Sequence, residues 1–266
     1  MTAKKKSVAK KPATNLSPIM AEMEEDAGAG MENVTSNDIA IPFFRILQKN
    51  GPEVDEGNSK YIEGAKPGNI LNTVTFETFD SVILVPCAFQ RRIYEWWPRE
   101  SNNNGIVAVW DLGDDYVKKA TQCKDKPAIL ETPSGTHLID TCDHYCLHLH
   151  PNGQFDRVVL AMSSTQLKRS KRWNSIMMNQ RVTTADGRMF TPPIYGNMYT
   201  ASTVAESNAK GSWHSWQIEL LRAMDDLALY NEAKAFAAAA KGGLIRTADR
   251  EQGGGEVSPP SDTPAY

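Results

Sequence analysis

The sequence predicts a mostly β protein of the α+β class, a core of short antiparallel strands elaborated with two helices. Three observations carry this. Several segments are enriched in β-branched and aromatic residues and separated by Gly, Asn, Asp or Pro clusters. Two segments break that pattern with helical periodicity, Ser164 to Met178 and the alanine-rich "DDLALYNEAKAFAAAAKGG". With 41% apolar residues in 266, the chain has enough to build a real core.

Taken in order, residues 1–35 are poor in aromatics and rich in Lys, Glu, Ala and Gly, which reads as a disordered arm with a short helix around Ile19 to Asp26. Order is expected from "NDIAIPFFRILQ", the first dense apolar set. "KPGNILNTVT", "DSVILVPCAFQRRIYEWW", "GIVAVW", "THLIDTCDHYCLHLH", "FDRVVLAMS", "YGNMYTASTVAES" and "GSWHSWQIEL" follow as strands. Gly242 and Gly243 stop the last helix. The core therefore spans 36–243, and 244–266, rich in Gly, Pro and Ser, reads as a flexible tail.

Charge excludes a globally basic binder, because 29 Lys and Arg stand against 32 Asp and Glu. Contact with phosphates must then come from local segregation of charge. Lys4, Lys5, Lys6, Lys10 and Lys11 form a basic arm and Glu22, Glu24, Glu25 and Asp26 an acidic patch, blocks that are usually solvated. No apolar run reaches the roughly 18 residues of a membrane-spanning helix, so the expectation is a soluble protein of the cytoplasm with no membrane partner. Four unevenly spaced cysteines, Cys87, Cys123, Cys142 and Cys146, do not form a secreted disulfide framework.

The strongest local signal is "AMSSTQLKRSKRWNSIMMNQR". Ser163 or Ser164 supplies an N-cap, and Leu167, Trp173, Met177 and Met178 form an apolar side. Lys168, Lys171 and Arg172 fall opposite, with Arg169 at the edge and Arg181 beyond the end. Such a face is most often plain solvated surface. A second segment shifts the balance: in "FQRRIYEWWPRE" a strand places Phe89, Arg91, Ile93, Glu95 and Trp97 on one side, and Gln90, Arg92, Tyr94 and Trp96 on the other. The second side offers a cation, a phenol and an indole, the means by which single-strand binders stack bases without reading sequence. Arg99 lies in the polar tip that follows.

The segments "RRIYEWWPRE", "MSSTQLKRSKRWNSIM" and "ESNAKGSWHSW" together resemble proteins of tailed bacteriophages, some of them single-stranded-DNA-binding. The resemblance covers about Asp38 to Gly243. It implies an oligonucleotide-binding (OB-like) barrel, a role in phage DNA replication or recombination, and a location in the infected host's cytoplasm. The ending "SDTPAY" is similar to the partner-docking tails of such proteins through Asp262, Pro264 and Tyr266, though only weakly acidic. The implied partners are single-stranded DNA and, through the tail, replication or recombination proteins. A homo-oligomer is compatible with this reading.

"CDHYCLHLH" alternates Cys142, His144, Cys146, His148 and His150, so a regular strand puts all five on one face. Zinc held by Cys142, His144, Cys146 and His148, with Cys123 or His137 assisting, ranks behind a partly buried strand of polarizable side chains, because one cluster lacks the paired knuckles of a recognisable zinc motif. No Gly-rich phosphate loop, G-x-S-x-G elbow or H-E-x-x-H occurs. The reading is thus non-enzymatic and without a cofactor. A nuclease using Asp111, Asp114, Asp115, Asp140 and Asp143 is the weaker alternative, beside a virion or host-interaction protein that binds no nucleic acid.

Overall fold

The computed structural model describes residues 17–27, 29–34, 39–98, 101, 103, 105–124, 129–209 and 211–242. The chain divides into two units, residues 1–38 and 39–266. In the first, α1 (Ser17–Glu25) forms where a short helix was expected. The Lys4 to Lys11 arm and the tail with Asp262, Pro264 and Tyr266 lie outside the described residues.

In the second unit the elements run β1 (Phe44–Ile46), β2 (Ile70–Asn72), β3 (Thr78–Phe79), β4 (Ser81–Trp96), β5 (Ile106–Trp110), α2 (Asp115–Lys118), β6 (Thr121–Gln122), β7 (Leu130–Glu131), β8 (His137–Leu149) and β9 (Phe155–Ser163). Then come α3 (Leu167–Met178), β10 (Val182–Thr183), β11 (Met189–Phe190), β12 (Asn197–Asn208), β13 (Gly211–Ala223) and α4 (Leu227–Lys241). The main sheet has the order β13-β12-β4-β8-β7-β6, with β5 added on β4 and β9 on β8. It is antiparallel and curls into a half-barrel, the mostly β, OB-like class the sequence predicts. β1, β2 and β3 make a small sheet of their own, and β10 pairs with β11.

Both faces of the main sheet are buried, each under a different helix. On one face Leu84, Cys146, Leu160 and Met162 pack with Trp173 and Met177 of α3. On the other, Val85, Leu147 and Val159 pack with Ala233, Phe236 and Ala237 of α4. Full burial of a side chain such as Leu160 or Phe236 contributes about 1.5–3 kcal/mol. Asp226 starts α4 by accepting hydrogen bonds from the backbone N–H of Ala228 (2.8 Å) and Leu229 (3.1 Å).

The 16 residues of β4 serve both cores by alternation, and the strand changes parity midway. Pro86 has no N–H to give a ladder, and pairing with β8 steps from Pro86↔Cys146 to Ala88↔Tyr145, so Cys87 is the extra residue of a bulge. Before the bulge Val82 and Leu84 face the α3 side. After it Ala88 joins the α4 core, and Gln90 donates through Nε2 to the carbonyl of Ala240 at 2.9 Å. Phe89 and Arg91 are thereby turned to the α3 side.

The entry into α3 differs from the sequence expectation. Neither Ser163 nor Ser164 caps α3 with its side chain. Ser164 instead takes a left-handed φ of 49°, at a kink between β9 and α3, and Gln166 enters the fold, its Oε1 accepting from Trp216 N at 3.1 Å. "DLGDDY" leads into the one-turn α2, capped by Asp114 accepting from Tyr116 N at 2.8 Å.

Candidate nucleic-acid interface

α3 lies on the sheet through Ser170, Trp173 and Met177. His144 of β8 is the contact point, its Nε2 2.8 Å from Ser170 Oγ and its ring stacked on Trp173 at 4.5 Å. The opposite side of the helix is cationic, as expected, but its four cations are not equivalent. Glu206 of β12 pairs with Lys168 at 3.0 Å and also with Arg169. Ser215 Oγ (2.7 Å) and Trp213 Nε1 (3.0 Å) donate to the same carboxylate. Burial pushes the Glu206 carboxyl up, but the Ser215 hydroxyl and the two cations outweigh this and hold it down to about 2. Lys171 and Arg172 are exposed, with no ion pair among the described residues.

Between α3 and β13 runs a cavity of about 250 Å3, lined by Arg169, Arg172, Trp173, Trp216, Gln217 and Glu219. Trp173 Nε1 and Arg169 Nε are buried without a hydrogen-bond partner among the described residues. Trp173, the ring among the cations and so a candidate contact by sequence, is instead a core residue, 1% exposed. The same helix departs from its expected apolar side at Met178, which is 64% exposed. Arg181 closes the helix end, its guanidinium donating to the carbonyls of Met178 (2.8 Å) and Gln180 (2.7 Å). The β10–β11 hairpin that follows exposes Val182, Met189 and Phe190.

The ring-bearing side of "RRIYEWW" corrects the expectation. Tyr94 (4% exposed) and Trp96 (6%) are buried, so they present no open stacking platform. Tyr94 donates through its hydroxyl to Asp143 Oδ2 at 2.5 Å, and Arg92 and Trp97 are half-buried. Two-faced rings such as these pack as readily as they stack, and here β4 is covered on that side. The opening lies on the other side: Phe89 is 39% exposed, its ring 5.0 Å from that of His144, and Arg91 is exposed beside it. Arg91 is held bidentately by Asp140, at 2.9 and 2.5 Å. Beyond it Ile93 belongs to a separate cluster with Val117 and Leu138. Phe89 and Arg91 thus form a window between that cluster and the one under α3. Arg99 lies outside the described residues.

The carboxylates considered for a nuclease are spread among other tasks. Asp114 caps α2, Asp115 pairs with Lys118, Asp140 with Arg91, and Asp143 accepts from Tyr94. The zinc set of Cys142, His144, Cys146 and His148 does not converge either. Residues two apart on a strand sit about 6.6 Å from one another, so a neighbouring strand must supply further ligands. Opposite Cys142, His144 and Cys146, β9 offers Met162, Leu160 and Val158. Burial pushes the Cys142 and Cys146 thiols up and His144 down to about 3, the shifts of protonated thiols and a neutral imidazole in an apolar layer.

The class the fold defines is a mostly β, OB-like antiparallel half-barrel, and its α3 side carries the exposed Lys171 and Arg172 and the Phe89–Arg91 window. The chain belongs to the Pam3 phage gp34-like protein family, whose model matches residues 9–246. No curated protein and no solved structure matches it. Among the described residues no helix is long and apolar enough to cross a membrane.

Proposed function

We propose that the protein binds single-stranded DNA without catalysis, in the replication or recombination of phage DNA. The observation that carries this is the pairing, on one side of the sheet, of exposed Lys171 and Arg172 with the Phe89–Arg91 window. Cations on a backbone path beside an open ring suit sequence-independent binding of a flexible strand. The buried N–H groups of Trp173 and Arg169 add donors at the neighbouring cavity. In this reading the C-terminal Asp262, Pro264 and Tyr266 dock a replication or recombination protein.

The test is a gel-shift or anisotropy titration of the full chain with labelled single-stranded and duplex oligonucleotides at two salt concentrations. The expected result is a preference for the single strand and an affinity that falls with salt. Equal or absent binding to both forms would remove the proposal. A second reading, a virion or host-interaction protein that binds no nucleic acid, is favoured by the apolar exposure of Met178, Val182, Met189 and Phe190, and absent binding is its expected result.

A further inference from the structure

We propose that His148, His150 and Asp156 form a binding site for a divalent first-row transition-metal ion at the end of the β8–β9 hairpin. The register builds it: His148 pairs directly with Asp156 across the two strands, and His150 follows His148 by two residues on the same side. This is the one place on the Cys/His face where the opposite strand answers a histidine with a ligand instead of an apolar side chain. One ligand atom from each residue lies within 4.8 Å of the others. His150 Nε2 and Asp156 Oδ2 already stand 2.6 Å apart.

A second observation points to a ligand. His148 is 4% exposed, and its Nδ1 is buried with no hydrogen-bond partner among the described residues. Leaving such an atom unsatisfied is costly unless something arrives to meet it. The ring is fixed by Phe44 and Phe79, each edge-on at 5.1 Å, as a ligand held in place by packing should be. Tetrahedral coordination sets ligand atoms about 3.4 Å from each other, so the 2.6 Å His150–Asp156 hydrogen bond must open for both to ligate one ion. The side chains that move are His150 and Asp156, 26% and 53% exposed, while His148 stays. Two imidazoles with one carboxylate and no thiolate select zinc, cobalt, nickel or iron(II) over calcium and magnesium.

The test uses untagged full-length protein stripped by a chelator and titrated with Co2+, followed by its visible absorption, and with Zn2+, followed by thermal melting. One ion per chain, no intense near-ultraviolet thiolate band, and a rise in melting temperature are expected. His150→Ala, at a half-buried position, and Asp156→Ala, at an exposed one, should each weaken binding at least ten-fold, and Cys142→Ser should leave it unchanged. Absence of saturable binding, a thiolate band, or undiminished binding in the His150→Ala/Asp156→Ala double variant overturns the site.

Discussion

Lys168 of α3 and Glu206 of β12 are paired at 3.0 Å, and the same carboxylate also holds Arg169. Half of the cationic face of α3 is therefore already answered from within the fold. Only Lys171 and Arg172 remain to meet phosphates without first releasing a partner among the described residues.

It follows that Lys171→Ala/Arg172→Ala should weaken single-strand binding more than Lys168→Ala. Each phosphate contact contributes roughly 0.7 to the salt slope on a single strand, so the double variant should flatten the log–log plot by about 1.4. Glu206→Gln should act in the opposite direction, releasing Lys168 and Arg169 and raising affinity at low salt. It should also cost about 1–3 kcal/mol of stability, read from urea unfolding, because Arg169 is largely buried. Equal effects of the single Lys168 change and the double variant would show that the pairing does not partition the face.

The window and the buried rings of β4 should separate cleanly. Phe89→Ala removes a ring that is 39% exposed and should leave the unfolding midpoint nearly unchanged while weakening single-strand binding, by about 1–3 kcal/mol if the ring stacks on a base. Tyr94→Phe leaves the buried Asp143 without its 2.5 Å donor and should destabilise by a comparable amount, with unaltered affinity in the folded fraction. The reverse outcome, binding lost at Tyr94 and intact at Phe89, would place the interface on the α4 side.

Those two residues also mark where sequence reading stops. The strands β4, β8, β9, β12 and β13 were legible from β-branched runs and turn residues, and α3 and α4 from period and punctuation. The alternation of rings in "RRIYEWW" was legible too, but not which side is open. That is decided by the bulge at Cys87 and by the placement of α4, neither of which leaves a local mark beyond Pro86. Glu206 was invisible as a partner because it comes 37 residues after Arg169. The pairing of His148 with Asp156 depends in the same way on hairpin register, whereas the four ligands Cys142, His144, Cys146 and His148 are strung over about 20 Å of one strand, too far for all four to meet one ion.

Acid should loosen the α3 face through His144. Burial depresses this imidazole from 6.5 to about 3, so the folded state keeps it neutral while the unfolded chain takes up a proton. A depressed folded value means that the stabilisation is complete above the unfolded pKa, begins to fall near pH 6.5, and is lost progressively as pH drops toward 3. His144→Gln retains a side chain able to bond Ser170 and removes the titration. The slope of unfolding free energy between pH 6.5 and 5 should then shrink by up to one proton's worth, whatever the variant's absolute stability. A slope identical to that of the unaltered protein would mean that His144 does not carry this linkage.

Glu95 should prove a structural carboxylate and not a chemical one. It is buried at the far end of β4 and accepts from Trp110 Nε1 (2.8 Å), the Tyr116 hydroxyl (2.8 Å) and Thr136 Oγ1 (2.5 Å), while Trp110 and Tyr116 stack at 4.4 Å. Three donors from β5, α2 and the turn before β8 converge on two oxygens, so the carboxylate holds these segments to one strand. Replacing it by Gln turns one acceptor into a donor that meets other donors, at a cost of about 1–3 kcal/mol. The loss should be local first. Trp110 emission should shift to the red and amides of β5 and α2 should exchange faster, while amides of β8, β9 and β12 keep their protection. Single-strand affinity should hardly change, because Phe89, Lys171 and Arg172 lie outside the cluster of Ile93, Val117 and Leu138 that Glu95 anchors. If Glu95→Gln instead abolished binding with the fold and the Trp110 emission intact, the carboxylate would have to act on the bound strand itself.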